Sequence, residues 1–121
     1  MGQELKSMNS NNRDNCTPFI TKDGSTIREI LHAERQSLAE AIVLPGQTTA
    51  PHYHVESEES YYILCGKGTM FLDEEELDVT RGDAILIPPE KRHSICNTGA
   101  EDLVFLCCCA PGYKHEDTFL I

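Results

Sequence analysis

The chain has 121 residues, 40% of them apolar and 25% charged, values ordinary for one globular domain with a core of its own. Twenty acidic residues against ten basic ones give a formal charge of −10, which disfavours nucleic acid or an anionic membrane as partner, since both want a cationic face. No apolar run approaches the ~20 residues that span a bilayer, and the first residues lack the hydrophobic stretch of a secretory signal, so a cytoplasmic, reducing location is expected.

In chain order, residues 1–17 are rich in Asn, Ser and charge and are expected to form a flexible leader. Residues 18–121 read as a single domain ending in a short C-terminal tail. Within it, apolar runs at 27–31, 38–44, 61–65, 68–72, 77–79, 84–87, 93–96 and 103–109 each have the length of a strand. Turn-forming residues separate them, among them Pro45-Gly46, Gly66-Lys67-Gly68, Arg81-Gly82-Asp83 and Asn97-Thr98-Gly99. Only residues 30–40 could be argued as helix. The rhythm predicts an all-β sandwich or barrel. The acidic run Asp73-Glu74-Glu75-Glu76 lies between two of these strands and reads as a solvated hairpin, because a calcium loop needs glycine and alternating oxygen ligands over a longer span.

Six cysteines are present, three of them consecutive at Cys107, Cys108 and Cys109. Neighbours on a strand point to opposite faces, so this run does not describe a disulfide framework; in a reducing compartment the cysteines read as small buried hydrophobes. The sequon Asn15-Cys16-Thr17 has no meaning without secretion.

The chemistry is concentrated in His52, His54, Glu59 and His93, which include three of only five histidines. On a strand, His52 and His54 point the same way with Tyr53 opposite, and their Cα atoms stand roughly 6.6 Å apart. Two imidazoles can close that gap onto one ion at about 2.1 Å each. Glu59 returns after four intervening residues, room for a short bend that brings a carboxylate alongside. His93 follows the stiff turn Ile87-Pro88-Pro89-Glu90. Any one of these histidines alone would be an ordinary satisfied polar residue; the set points to a metal ion.

At these positions the chain resembles the cupin superfamily. The first cupin motif is matched by Gly46, His52, His54, Glu59 and Gly66, and the second by Gly82, Pro88, His93 and Asn97, with every spacing kept. Glu90 stands where the second motif has a glycine; if that position needs positive φ, the substitution costs roughly 1 kcal/mol and places a carboxylate near the site's mouth. The resemblance implies a small jelly-roll β-barrel with His52, His54, Glu59 and His93 as metal ligands. It also implies Gly46, Gly66 and Gly82 in turns, structural roles for Pro88 and Asn97, and pairing as a homodimer to which the leader and tail could contribute.

Three nitrogens and one oxygen suit a divalent first-row ion, with iron, manganese, nickel, copper and zinc all compatible. Four protein ligands leave two positions of a six-coordinate ion for a small-molecule substrate. The leading expectation is a metal-dependent enzyme of the dioxygenase, isomerase/epimerase or lyase type acting on a small polar molecule. The alternatives are a binding or sensing module without turnover and a structural barrel. Alternation places Tyr61, Ile63 and Cys65 on the face of Glu59, and Ile95 and Asn97 on that of His93. Tyr61 is the candidate catalytic hydroxyl, as a substrate-orienting or outer hydrogen-bonding group. Arg28, Glu40, Lys91 and Arg92 read first as surface charges, and Cys65 as a buried thiol beside the site.

Overall fold

The computed structural model describes residues 8–121. Eleven strands form two antiparallel sheets: β1 (Phe19–Ile20), β2 (Thr26–His32), β3 (Ser37–Val43), β4 (His52–His54), β5 (Glu58–Cys65), β6 (Lys67–Leu72), β7 (Glu75–Thr80), β8 (Ala84–Ile87), β9 (His93–Asn97), β10 (Leu103–Ala110) and β11 (Thr118–Leu120). One sheet has the order β1-β2-β3-β10-β5-β8 and the other β11-β4-β9-β6-β7. This is the expected small jelly-roll barrel, and each of the eight apolar runs lies on a strand. Residues 30–40 are not helical; they end β2 and begin β3. No helix among the described residues is long and apolar enough to cross a membrane.

Alternation decides what fills the interior. On β10, Leu103, Phe105, Cys107 and Cys109 are buried while Cys108 is exposed. Their partners on β5 are Ile63 opposite Phe105, Tyr61 opposite Cys107 and Glu59 opposite Cys109. The barrel is therefore layered along its length. Val43, Ile63, Ile95, Leu103 and Phe105 close one end as a dry core in which each large buried side chain contributes roughly 2 kcal/mol. Towards the other end β3 presents only Ser37, Ala39 and Ala41, facing Cys109, Cys107 and Phe105. These small side chains leave a cavity where large ones would have made more core.

The stretch expected as a flexible leader lies outside the described residues as far as position 7. Within the rest of it, Arg13–Asn15 form a 3₁₀ turn, Asn11 Nδ2 donates to Ile30 O at 3.1 Å, and Arg13 Nε donates to Glu40 at 3.0 Å. One expectation about a cysteine is corrected. Cys65, expected to face inward, is exposed. The β5–β10 register shifts between Val104 and Phe105, so alternation breaks before Cys65 is reached.

Glu90 does adopt positive φ, 70°. Its N–H donates to His54 O at 2.6 Å, and its side chain is exposed outside the cavity lining, so it brings no carboxylate to the site's mouth. Gly66 meets the same constraint with φ 86°, and a Cβ there would stand 2.6 Å from Asp102 O.

Candidate metal centre

The four side chains singled out in the sequence meet at the open end of the barrel. His52 and His54 project from β4, and His93 comes from β9, paired directly with His52. The imidazoles of these three residues each offer a nitrogen within 4.8 Å of the others. Glu59 reaches in from β5 on the opposite sheet, with Oε1 at 3.4 Å from both His54 Nε2 and His93 Nε2. All four residues are buried, none more than 6% exposed.

Each imidazole is held from behind. His52 Nδ1 donates to Ala50 O at 2.8 Å, His54 Nδ1 to Asp117 O at 3.1 Å and His93 Nδ1 to Lys91 O at 2.9 Å. A carbonyl accepts only from a protonated nitrogen, so these contacts fix the tautomer and leave every Nε2 with a free lone pair facing the others. Two of the inward atoms, Glu59 Oε1 and His93 Nε2, are buried with no hydrogen-bond partner among the described residues. Such orphans are costly and uncommon. One cation satisfies both at once, so the residues present fit a divalent metal.

The electrostatics agree. Burial works against the Glu59 carboxylate, yet the facing imidazoles of His54 and His93 hold its pKa well below the usual carboxylate range. His54 is penalised by burial but raised overall by facing Glu59 and by the Asp117 carbonyl. His52 is lowered by burial and by the neighbouring His93.

The elements that aim these residues are partly non-local. β4 is three residues long and meets β9 at one pair, so most of its pairing is with β11, which sets Thr118 against His54 and Leu120 against His52. The bend that brings Glu59 alongside the histidines is capped by Asp117, itself 4% exposed. The Asp117 carboxylate accepts from the N–H groups of Val55, Glu56 and Ser57 at 3.0 to 3.2 Å. The C-terminal tail thus positions both the imidazole of His54 and the turn behind it.

Beside the centre a cavity opens to solvent. Tyr61 lines it, packed at a 39° tilt against Phe105 at 4.5 Å between centroids and edge-on to His93 at 6.2 Å. Burial raises the Tyr61 hydroxyl's pKa well above its ordinary value, so it stays protonated. Cys107 and Cys109 line the same cavity, and Cys109 Sγ donates to Glu59 Oε2 at 3.5 Å. Burial pushes both thiols up, so they stay protonated and inert. Arg28, Glu40, Lys91 and Arg92 stay outside the lining: Arg28 and Glu40 pair at 3.7 Å, and Lys91 pairs with Asp73 at 3.1 Å on the surface.

Sequence reasoning missed Asp23, Tyr113, Thr118 and Asp117. The first three line the cavity, and the fourth stands behind His54. The alternation of Cys107 and Cys109 onto one strand face was a readable signal. Nothing local announced Asp23 or Asp117, which come to stand beside His52 and behind His54 only through the fold.

A family model described as the cupin domain matches residues 39–109. Over 113 residues the chain is 52% identical to an uncharacterized protein of Methanocaldococcus jannaschii, covering 89% of this chain and 90% of that one. It is 33% identical over 79 residues to the oxalate-binding protein of Thermotoga maritima, 65% of either chain. Among solved structures, Streptomyces PAC13 with uridine superposes with a TM-score of 0.80 at 18% identity, over 96% of this chain and 92% of that one, a likeness of fold.

Proposed function

This chain belongs to the cupin domain family, and on that footing we propose that it is a metal-dependent enzyme acting on a small polar molecule at one mononuclear centre. His52, His54, Glu59 and His93 are the residues that would hold a divalent iron, manganese, nickel, copper or zinc ion. The observation that carries this reading is the set of three imidazoles whose Nδ1 atoms are tied to carbonyls while their Nε2 atoms converge beside an orphaned carboxylate oxygen. When bound, such an ion supplies Lewis-acid or redox chemistry, which serves dioxygenation, isomerisation or epimerisation, and lyase reactions alike.

The chain's own residues define the rest of the pocket. Tyr61, one layer inward from Glu59, keeps its proton and is positioned to donate a hydrogen bond that orients a substrate oxygen. Phe105, Ile27 and the alanines of β3 keep bulk water from the inner wall. A small polar substrate is supported by the relatives, one an oxalate-binding protein and a fold neighbour holding uridine. Pairing of two copies is part of the same proposal, supported by exposed Tyr62, Leu64 and Leu86 on the adjacent strands β5 and β8.

The test is metal content and affinity of the purified protein and of two variants, His93→Ala and the isosteric Glu59→Gln. Both are expected to bind metal at least tenfold more weakly. Unchanged affinity in both would overturn the proposal. Oxygen uptake by the iron-loaded protein with catechols, diketones and thiols then separates oxygenase from isomerase or lyase chemistry.

A further inference from the structure

Asp23 lies in the turn between β1 and β2, outside the stretch matched by the family model. Its two oxygens are treated differently. Oδ1 accepts from Thr21 Oγ1 at 2.6 Å, Ser25 Oγ at 2.6 Å and Ser25 N at 2.9 Å. Oδ2 has no hydrogen bond among the described residues and stands 3.7 Å from His52 Nε2, the nitrogen that faces the centre. Backbone contacts fix this placement: Asp23 O accepts from Ala50 N at 2.8 Å, and Ala50 O in turn accepts from His52 Nδ1. A side chain 11% exposed therefore offers one rigidly aimed acceptor oxygen to whatever binds beside His52.

The charge of the cavity points the same way. Its lining carries three carboxylates, on Asp23, Glu29 and Glu59, and no lysine or arginine. Lys22, next to Asp23, is turned away and donates to His115 O at 3.1 Å and Thr118 O at 2.9 Å. In the same lining, the Tyr113 hydroxyl is buried with no hydrogen-bond partner among the described residues. With Glu59 committed to the ion, a dicarboxylate or a phosphorylated sugar entering here meets, beside that one cation, the carboxylates of Asp23 and Glu29 and no cationic side chain. An uncharged ligand bearing hydroxyls finds an acceptor at Asp23 Oδ2 and a donor at Tyr113.

We propose that Asp23 is a specificity-determining residue, accepting a hydrogen bond from a ligand hydroxyl and selecting an uncharged hydroxy-carbonyl or vicinal-diol compound over dianions. This rests on the metal-centre reading above. It sets the chain apart from its oxalate-binding relative, in what the pocket favours rather than in its fold.

The test uses cobalt-loaded protein, whose visible spectrum reports ligand binding, titrated with maltol as the uncharged hydroxy-ketone and oxalate as the dianion. In Asp23→Asn, maltol is expected to bind about tenfold more weakly and oxalate about tenfold more tightly, with cobalt affinity within threefold of the parent. Asp23→Ser is expected to shift oxalate the same way. A maltol-to-oxalate ratio unchanged within twofold in both variants overturns the inference and leaves the metal centre standing. Loss of cobalt from both variants also overturns it, because Asp23 would then only support the ligands. Failure of the parent protein to take up cobalt removes the metal-centre reading itself, and this inference with it.

Discussion

A single carbonyl behind each imidazole separates this site from a chance cluster of histidines. With Nδ1 protonated and tied back, the three Nε2 atoms compete for metal and proton alike. His54 has its pKa raised by facing Glu59, so it is the first of the pair to gain a proton as pH falls. Glu59, shifted the other way, stays ionised far below that point. Metal retention is therefore expected to be complete at pH 8 and to begin falling above the ordinary histidine value of about 6.5, where His54 first takes up its proton, with Glu59 contributing nothing to the loss. Metal analysis of samples dialysed between pH 8 and pH 5 checks this; constant occupancy across that range would contradict it. At this scale much was legible: the meeting of His52, His54, Glu59 and His93 and the inward Tyr61 followed from spacing and alternation. Cys65 did not, because a register shift on its strand cannot be read from residue types.

Among the elements, β4 is the least self-sufficient. Three residues give it little pairing of its own, so its position depends on β11 and on Asp117, which closes the turn after it. Replacing Asp117 by Ala leaves three backbone N–H groups without their acceptor. The expected cost is about 2–4 kcal/mol in stability by chemical denaturation. Metal affinity is expected to fall about 10- to 100-fold, as for other residues that steady a ligand from outside. Asp117→Asn keeps one acceptor oxygen and is expected to lie between the two. A folded Asp117→Ala protein with unchanged metal affinity would show that β4 is held by other means. Sequence reading found β4 through its His-x-His pattern but took residues 113–121 for a tail. The residues of β11, Thr118, Phe119 and Leu120, carry no alternation long enough to mark a strand, and their partner lies more than sixty positions earlier.

As a whole, the barrel divides its interior between a dry end that stabilises it and a wet end that works. The division was not read from the sequence, although Ser37, Ala39 and Ala41 share one face of β3, because the depth of the cavity depends on which strands face each other. The outer surface of the six-stranded sheet exposes Tyr62, Leu64 and Leu86, at 47%, 37% and 58%. This is the face on which the proposed pairing of two copies would bury apolar surface. Sedimentation of the protein is expected to give twice the chain mass of 13.5 kDa, and Leu86→Lys to shift it towards a single chain. A parent protein that sediments as one chain at micromolar concentration would argue against pairing.

Lys22 reaches from the turn before β2 to the carbonyls of His115 and Thr118, so one ammonium group ties the first hairpin of the barrel to its last strand. The two segments it joins are the ones that carry Asp23, beside His52, and Asp117, behind His54. Any cargo fused behind Ile121 therefore pulls on a cross-brace rather than on a free end, and the alignment of His54 would register the load.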